Sequence, residues 1–432
     1  MSKNKEPFVS GTGQVLPHGY EYKMVAIVGL AIGFVMFDRM AVANLQSYMM
    51  EDLGMNYTQL GVITSVFAAT WALSGLFGSY IADTKMSRKK FFGFFVLLFS
   101  VCSLLTGFVT GFIMLVLVRA VMGIFEGPMY PVAQSFVMPQ SSKERRGLNM
   151  GLVQVTIIGL ISSTLGPIVQ VALAKSIGWR YTFALTIIPG IILTLFILKV
   201  LVNPETGASA EEIAAKKAVK EKGALGKALK NRNVIISIIG TMFLLTWYIG
   251  MLTFLPGYLV SVKGFDEGQM ATIMAGLGLG AVLLGGMALP KISDQIGRKP
   301  ILVISSILGA FASFGMLYGP ANQGLLIFIA FVGWGGTGLC SLMQAAVPAE
   351  SSDPRYVSTV IGTNQLTGEL VGATLGATLL GILADARGLE ASITVCGVCV
   401  LISGVLSLFY RETAPLVVAR RAAKKAAAEG QS

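Results

Sequence analysis

Five ionisable side chains fall inside long apolar runs of this sequence: Asp38 and Arg39 in the first run, Arg119 and Glu126 in the fourth, and Glu369 in the eleventh. Inserting such a group into lipid costs about 2.5–3.5 kcal/mol, so these residues are candidates for function by default. Arginine stays charged and its planar fork fits a carboxylate, whereas a desolvated acid can take up a proton. This set predicts proton-coupled handling of an organic anion.

The spacing of these charges leaves structural alternatives open. Asp38 and Arg39 are adjacent, so on a helix their side chains point about 100° apart. Arg119 and Glu126 are seven residues apart and share one helix face, about 10.5 Å apart along the axis, which is too far for a simple direct pair. Gly127-Pro128 follows and predicts a kink beside a water-accessible cavity. The alternatives are a buried structural ion pair between helices and, for Asp38-Arg39, a pair at the outer boundary of the first span.

The elements that position these residues must be membrane helices. Of the 432 residues, 54% are hydrophobic and 13% are charged, whereas soluble domains carry about 25% charged residues. Apolar runs of about 20 residues suit a helix that crosses a bilayer. We therefore predict an all-α membrane protein with twelve transmembrane helices, near 23–45, 58–82, 91–109, 111–137, 148–173, 181–202, 232–260, 268–290, 300–318, 323–348, 357–384 and 391–410.

The basic residues predict the orientation of these helices. With the N-terminus inside, 27 of the 33 Lys and Arg residues fall on the inner side and 4 on the outer side. Because positive residues favour the cytoplasmic side, both termini are expected inside. The net charge of +11 is then a consequence of topology, and we expect no nucleic-acid partner. The expected location is the cell inner (plasma) membrane, in contact with membrane lipid.

A polar, Ala/Lys/Glu-rich interruption over 203–231 divides the chain into two halves. The predicted domains are a cytoplasmic N-terminal segment, a six-helix bundle, a cytoplasmic linker, a second six-helix bundle and a basic tail, over 1–22, 23–202, 203–231, 232–410 and 411–432. Each half has an acid followed by a basic turn after its second span, which is a repeat typical of pseudo-symmetric transporters. The candidate gating residues are Asp83, Arg88 and Lys89 in the first copy and Asp294, Gly297 and Arg298 in the second. For either copy, a solvated loop that only sets topology is the alternative.

This arrangement resembles the major facilitator superfamily over the whole chain. The second copy, D-x-x-G-R-K from Asp294, fits the family's loop motif, whereas Met86 stands where the first copy usually has Gly. Two strings, Phe37-Asp-Arg…Ala-Asn44 and Arg119-Ala-Val-Met-Gly-Ile-Phe-Glu-Gly-Pro128, are similar to the anion:cation symporter branch. That branch includes bacterial galactonate and hexuronate carriers, sialin and the vesicular glutamate transporters.

The resemblance implies roles for the charges in the spans. Arg39 would bind the substrate carboxylate, Asp38 and Glu126 would couple protons, and Arg119 would pair with a deprotonated acid. Glu369 departs from the branch, which more often has a neutral polar residue there. An extra proton site, a less acidic or partly cationic substrate, and a pair with a neighbouring group remain equal alternatives for Glu369.

Other residues of the spans are weaker candidates for substrate contact. Trp71, Trp247 and Trp334 lie well inside spans, away from the interfaces that Trp prefers; helix packing is the alternative. Gln154 and Asn364 are candidate hydrogen-bonding groups, and interhelical contact explains them equally well.

The sequence therefore predicts a secondary active transporter that takes up an organic anion with protons by alternating access. A proton-coupled drug or metabolite antiporter of the same fold is the alternative, favoured by Gly166-Pro167 in span 5 and by Glu369. With one His and no paired metal ligands, an enzyme or receptor is not expected, nor is a metal or cofactor. The expected partners are the substrate anion, protons and lipid, and we expect a monomer.

Overall fold

A computed structural model describes residues 7–84, 86–142, 144–204, 231–352, 357–420 and 423 of the chain, without the side chains of 76–84 and 358. Most of the predicted linker and half of the basic tail lie outside these residues. The described part is helical apart from one two-stranded sheet. It divides into two compact units: unit 1 comprises Met1–Gly207 and Phe265–Ala275, and unit 2 comprises Ala208–Gly264 and Gly276–Ser432.

Unit 1 begins with a short hairpin and continues as helices. Widened π-helical turns over Leu152–Thr156 and Gly159–Leu165 interrupt its fifth predicted span. The elements in chain order are β1 Phe8–Val9, β2 Val15–Leu16, α1 Tyr20–Asn44, α2 Gln46–Leu53, α3 Tyr57–Thr84, α4 Arg88–Thr106, α5 Phe112–Glu126, α6 Met129–Gln140, α7 Arg146–Gly151, α8 Gly166–Ile177, α9 Trp179–Leu185 and α10 Ile187–Val200.

Unit 2 is also helical, with π-helical turns over Ala281–Ala288, Leu342–Ala346 and Gly368–Leu375 and a 3₁₀ turn over Trp334–Thr337. The first turns of α12 fall in the stretch that groups with unit 1. The helices are α11 Arg232–Ser261, α12 Glu267–Gly280, α13 Leu289–Ile296, α14 Arg298–Tyr318, α15 Gln323–Gly333, α16 Gly338–Ser341, α17 Val347–Glu350, α18 Val357–Thr367, α19 Gly376–Arg387 and α20 Leu389–Ser407.

Eleven helical segments of the described residues are long and apolar enough to cross a membrane, and each overlaps one predicted run. They are Tyr20–Asn44, Arg88–Thr106, Phe112–Gln140, Arg146–Ile177, Trp179–Val200, Arg232–Ser261, Glu267–Ile296, Arg298–Tyr318, Gln323–Glu350, Thr359–Arg387 and Leu389–Ser407. The run predicted at 58–82 coincides with α3. The side chains of 76–84 on this helix lie outside the described residues. The count of twelve, the orientation of the termini and the six-plus-six division stay predictions.

The N-terminal segment adds a structured element to unit 1. The turn of its hairpin bonds to the end of α6, because the amide of Gly11 donates to the carbonyl of Ser141 at 2.9 Å. The amide group of Gln14 donates to the carbonyl of Asn203 at 3.0 Å and accepts from Gln140 at 3.1 Å. Leu16, 2% exposed, joins the apolar core of the unit. The polar segment predicted before the first span is therefore packed onto the bundle.

Helix α14 begins directly after Gly297, a position whose backbone conformation favours glycine. Gly297 has φ +119°, a conformation that L side chains rarely adopt, and an added Cβ would collide with a carboxylate oxygen of Glu412. That carboxylate accepts hydrogen bonds from the amides of Arg298 at 2.8 Å and Lys299 at 3.3 Å. It thereby satisfies two of the amides that a helix start leaves without partners.

We predict that Gly297→Ala destabilises the protein by about 1–3 kcal/mol, because it adds both backbone strain and a clash with the helix cap. The measurement is the apparent Tm of purified protein in detergent. Gly324→Ala is the matched control, since a Cβ there meets only an ordinary contact at 3.5 Å on α15. Equal Tm values for the two variants would contradict the prediction.

Candidate functional site: a buried charge cluster in unit 1

Three of the predicted charges meet inside unit 1. Asp38 on α1 is 0% exposed, and Arg119 and Glu126 on α5 are 2% and 1% exposed. The Nη1 atom of Arg119 lies 4.0 Å from Oδ2 of Asp38. Arg119, too far along its own helix from Glu126 for a simple direct pair, therefore faces the acid of α1.

Arg119 has more hydrogen-bond donors than this pair uses. Its Nη1 donates to the sulfur of Met122 at 3.4 Å, while Oδ2 of Asp38 accepts no hydrogen bond from the described residues. Its Cζ lies 5.4 Å from the ring centroid of Phe183. Among the residues that the structure describes, its Nε and Nη2 have no hydrogen-bond acceptor. A buried donor without a partner is costly, so the guanidinium has capacity for a further acceptor.

Glu126 is buried with neither carboxylate oxygen bonded to a donor of the described residues. Asp38, Arg39 and Arg119 all lie close enough to act on it electrostatically. Two acids and two arginines thus share one apolar region, and the charge state of each acid affects the other.

Asp38 is held from the side opposite its ion pair. The hydroxyl of Ser103 on α4 donates to Oδ1 of Asp38. The hydroxyl of Thr186, at the start of α10, lies 2.7 Å from Ser103 Oγ. The carboxylate therefore has Arg119 on one oxygen and a hydroxyl chain on the other.

Arg39 points to α3, away from the Asp38–Arg119 pair. Its Cζ lies 5.0 Å from the ring centroid of Phe67 and 5.1 Å from that of Trp71, which are cation–π distances. The half-buried guanidinium has no hydrogen bond to a described residue. The indole Nε1 of Trp71, a residue 9% exposed, likewise has no acceptor there. Both groups are donors able to bind an anion.

Close packing of α3 against α5 sets the positions of these side chains. A Cβ at Gly123 would collide with Thr70 Oγ1 and lie 2.8 Å from the carbonyl oxygen of Phe67. Ser74 donates to the carbonyl of Gly123 at 3.0 Å. Because Gly123 has no side chain, α3 and α5 approach each other closely, and this approach holds Trp71 and Glu126 in one region.

The candidates of unit 2 are also buried. The rings of Trp247 and Trp334 are 5.0 Å apart, and the Trp247 indole donates to Ser313 at 3.1 Å. Asn364 donates to the carbonyls of Met343 and Gln344 at 3.0 and 3.1 Å. Glu369, 8% exposed, lies within electrostatic range of the Cys340 thiol.

The contacts of these unit 2 residues, and of Gln154 in unit 1, are those of packed helices. Trp247 is 0% exposed and packs where a Cβ on Gly309 or Gly336 would touch it. Gln154 is half-buried and its backbone carbonyl accepts from Tyr130 at 3.2 Å. Their contact with a substrate stays a prediction. Among the described residues, no group of three or more His, Cys, Asp or Glu could hold a metal ion.

Comparison with known proteins decides the family. The model of the Major Facilitator Superfamily matches residues 28–373 and, in a second alignment, 291–430. The chain belongs to the major facilitator superfamily. Among solved structures, a bacterial homologue of the human lysosomal transporter Spinster is similar to this chain, with a TM-score of 0.71 and 19% identity. The alignment covers 90% of this chain and 96% of that one.

Several curated relatives of this superfamily chain are named as transporters of organic acids. The probable sulfoacetate transporter of Cupriavidus necator is 26% identical over 64% of this chain and 66% of its own length. The hexuronate transporter of Bacillus subtilis is 27% identical over 61% and 63%. Both alignments span just under two thirds of the relative. The probable galactarate/D-glucarate transporter of Escherichia coli is 23% identical over 90% and 94%.

The second copy of the superfamily loop motif forms an ion-pair network in unit 2. Arg298 Nη1 lies 2.6 Å from Oδ1 of Asp294, and its Nη2 lies 2.7 Å from Oε1 of Glu350. Thr413 donates to the other oxygen of Glu350 at 2.7 Å. Sequence reasoning missed Glu350 and Glu412, because acids near a predicted membrane boundary look like ordinary solvated residues.

The first copy is described only in part. The side chain of Asp83 lies outside the described residues. The amide of Lys89, next to Arg88 at the start of α4, donates to the side-chain oxygen of Asn203 at 3.0 Å. The gating roles of both copies stay predictions.

We predict that Gly123→Ala lowers stability by about 1–3 kcal/mol, because overpacking separates α3 from α5. The measurement is the apparent Tm of the purified protein in detergent. Gly111→Ala is the control, because a Cβ there meets nothing within 4 Å; a matching loss in that variant would refute the assignment.

Proposed function

We propose that this chain is a proton-coupled symporter that takes up an organic anion carrying a carboxylate, by alternating access. The observation that carries the proposal is the cluster in unit 1. An arginine with donors to spare, Arg39, lies in electrostatic range of a buried acid, Glu126, which itself shares Arg119 with Asp38.

The named relatives support the substrate class. The transporters of hexuronate, galactarate/D-glucarate, L-galactonate and cis,cis-muconate among them all carry carboxylates, and the sulfoacetate relative carries an organic anion with a second acidic group. A guanidinium matches a carboxylate with two parallel hydrogen bonds. The ring contacts of Arg39 with Phe67 and Trp71 use none of its N–H donors in hydrogen bonds, which supports this role.

The charge balance of the cluster supports proton coupling. When Asp38 and Glu126 are ionised, Arg39 and Arg119 compensate both charges. A substrate carboxylate on Arg39 adds a third negative charge in an apolar region, where electrostatic interactions are strong. Binding is then more favourable if an acid takes up a proton, and loss of that proton on the inner side favours release. Anion binding and proton binding thus assist each other, as linkage requires.

An antiporter of the same fold is the second candidate. One relative, 25% identical over 64% of this chain, is named as an efflux pump of Mycolicibacterium smegmatis. Glu369 adds a buried acid in unit 2 that would suit a partly cationic substrate. The two functions differ in direction: an inwardly directed proton gradient drives accumulation by a symporter and depletion by an antiporter.

We predict that Arg39→Ala weakens binding and uptake of the anion about 100-fold, because the variant loses a two-point, charge-assisted contact. Arg39→Lys should restore only part of the activity, since an ammonium lacks the planar fork. The measurement is uptake of labelled galactarate, hexuronate and sulfoacetate into proteoliposomes under an inward proton gradient. Arg387→Ala, an exposed arginine at the end of α19, is the control. Near-normal uptake by a folded Arg39→Ala protein would remove the binding assignment.

We predict that Glu126→Gln uncouples transport from protons, because the amide mimics the protonated acid and cannot release a proton. Exchange of labelled for unlabelled substrate should persist in part, while substrate-driven proton movement falls to background. A pH-sensitive dye inside the vesicles measures that movement. Glu390→Gln, an exposed acid at the start of α20, should behave as the wild type. Proton movement that persists in Glu126→Gln would show that Glu126 is not an essential coupling site.

A further inference from the structure

A chain of two hydroxyl groups links Asp38 to a backbone carbonyl in unit 1. Ser103 and Thr186 are 0% and 7% exposed, so water does not compete for them. Ser103 Oγ bonds Oδ1 of Asp38, and Thr186 Oγ1 lies 2.7 Å from Ser103 Oγ. Thr186 Oγ1 is also 2.6 Å from the carbonyl oxygen of Phe183. The chain therefore ends on a group that can only accept.

The hydroxyl groups of Ser103 and Thr186 have two complete hydrogen-bonding arrangements, because Thr186 has one hydroxyl hydrogen and two acceptors within reach. When Asp38 is ionised, Ser103 donates to the carboxylate and Thr186 donates to Ser103. When Oδ1 of Asp38 is protonated, the acid donates to Ser103, Ser103 donates to Thr186, and Thr186 donates to the Phe183 carbonyl. Only the hydroxyl hydrogens rotate, and no donor is left without an acceptor in either state.

Ser103 differs from the other hydroxyl residues of α4. A buried serine or threonine in a helix commonly bonds the carbonyl four residues earlier. Ser100 and Thr106 do this, at 2.8 Å to Val96 and 3.0 Å to Cys102. Ser103 bonds Asp38 instead.

The charges around Asp38 favour protonation at the oxygen that faces the chain. Oδ2 faces the positive charge of Arg119 at 4.0 Å, which disfavours a proton on that oxygen. Glu126 on α5 and Cys102 on α4 are the other titratable groups of the described residues in electrostatic range. Oδ1 faces a hydroxyl that both donates and accepts.

We propose that Ser103 and Thr186 are positioning residues for proton binding at Asp38, forming a chain that reverses its direction as the acid gains or loses a proton. The inference rests on the proposed function only in taking Asp38 as an acid that changes protonation during transport. It explains how Oδ1 of a fully buried carboxyl can keep a hydrogen-bond partner in both protonation states.

The test uses two variants that should act in opposite directions. Ser103→Ala removes the hydrogen bond to the charged form, which is stronger than that to the neutral form, so the pH midpoint of Asp38 protonation should rise by about 0.5–1 unit. Thr186→Val keeps the shape but removes the acceptor that Ser103 needs when Asp38 is neutral, so the midpoint should fall by about 0.5–1 unit. The readout is the infrared carbonyl band of the protonated acid in purified protein without substrate, assigned by its loss in Asp38→Asn.

Matched variants separate this role from a general effect on folding. Thr186→Ser keeps the hydroxyl and should restore the wild-type midpoint, and Ser100→Ala, which removes a buried hydroxyl one turn away, should leave it unchanged. In proteoliposomes, the alkaline limb of the uptake profile should move with the infrared midpoint. Shifts in the same direction for Ser103→Ala and Thr186→Val, or no shift in either, would overturn the proposal. If the infrared shifts are opposite but the protein transports no organic anion, the roles of Ser103 and Thr186 are supported and the proposed function is refuted.

Discussion

The packing of unit 1 depends on compensating charge where water is scarce. Asp38 and Glu126 are buried almost completely, and a carboxylate in such a place persists only with a counter-charge or as a neutral acid. Arg119 lies 4.0 Å from Asp38 and keeps donors to spare, while Arg39 lies on two aromatic rings of α3. The balance is adjustable: a proton or an anion added at one position changes what is favourable at the others. A purely structural ion pair would need only one acid and one arginine, whereas this cluster has two of each.

The two units use different chemical groups to accept hydrogen bonds from the backbone amides at the start of a helix. In unit 2, Glu412 caps the amides of Arg298 and Lys299, and Glu350 pairs with Arg298. In unit 1, the neutral oxygen of Asn203 caps the amide of Lys89. Gln140 precedes a Ser-Ser pair as Glu350 does, and it bonds Tyr20 at 2.9 Å and the hairpin residue Gln14 at 3.1 Å. Glu350 in an ion pair thus corresponds to Gln140 in neutral hydrogen bonds, and those of Gln140 include one to the N-terminal hairpin.

Single residues and their spacing predicted the spans and the charges inside them, because lipid makes an apolar run of about 20 residues and a charge within it conspicuous. The resemblance implied an acid as the partner of Arg119, but the identity of that acid, Asp38 on another helix, follows only from the packing of the helices in unit 1. Ser103 and Thr186 were missed because serine and threonine are ordinary in membrane helices, where most bond their own helix backbone. Trp247 illustrates the opposite difficulty: an aromatic residue inside a span has the same sequence pattern whether or not it packs closely on neighbouring glycines, as Trp247 does on Gly309 and Gly336.

Widened helical turns explain why helical periodicity fails to place some polar residues. A π-helical turn inserts an extra residue, so side chains beyond it lie on a different face from the one that a 3.6-residue period predicts. In unit 1, Thr164 donates to the carbonyl of Gly159 five residues earlier at 3.0 Å; in unit 2, Thr374 does the same to Glu369 at 2.9 Å. In each case the hydroxyl group bonds the backbone of the widened turn itself, unlike the hydroxyl of Ser103, which bonds the side chain of Asp38. The face on which the residues beyond each turn lie is therefore set by a local departure from the α-helix that a 3.6-residue periodicity does not reveal.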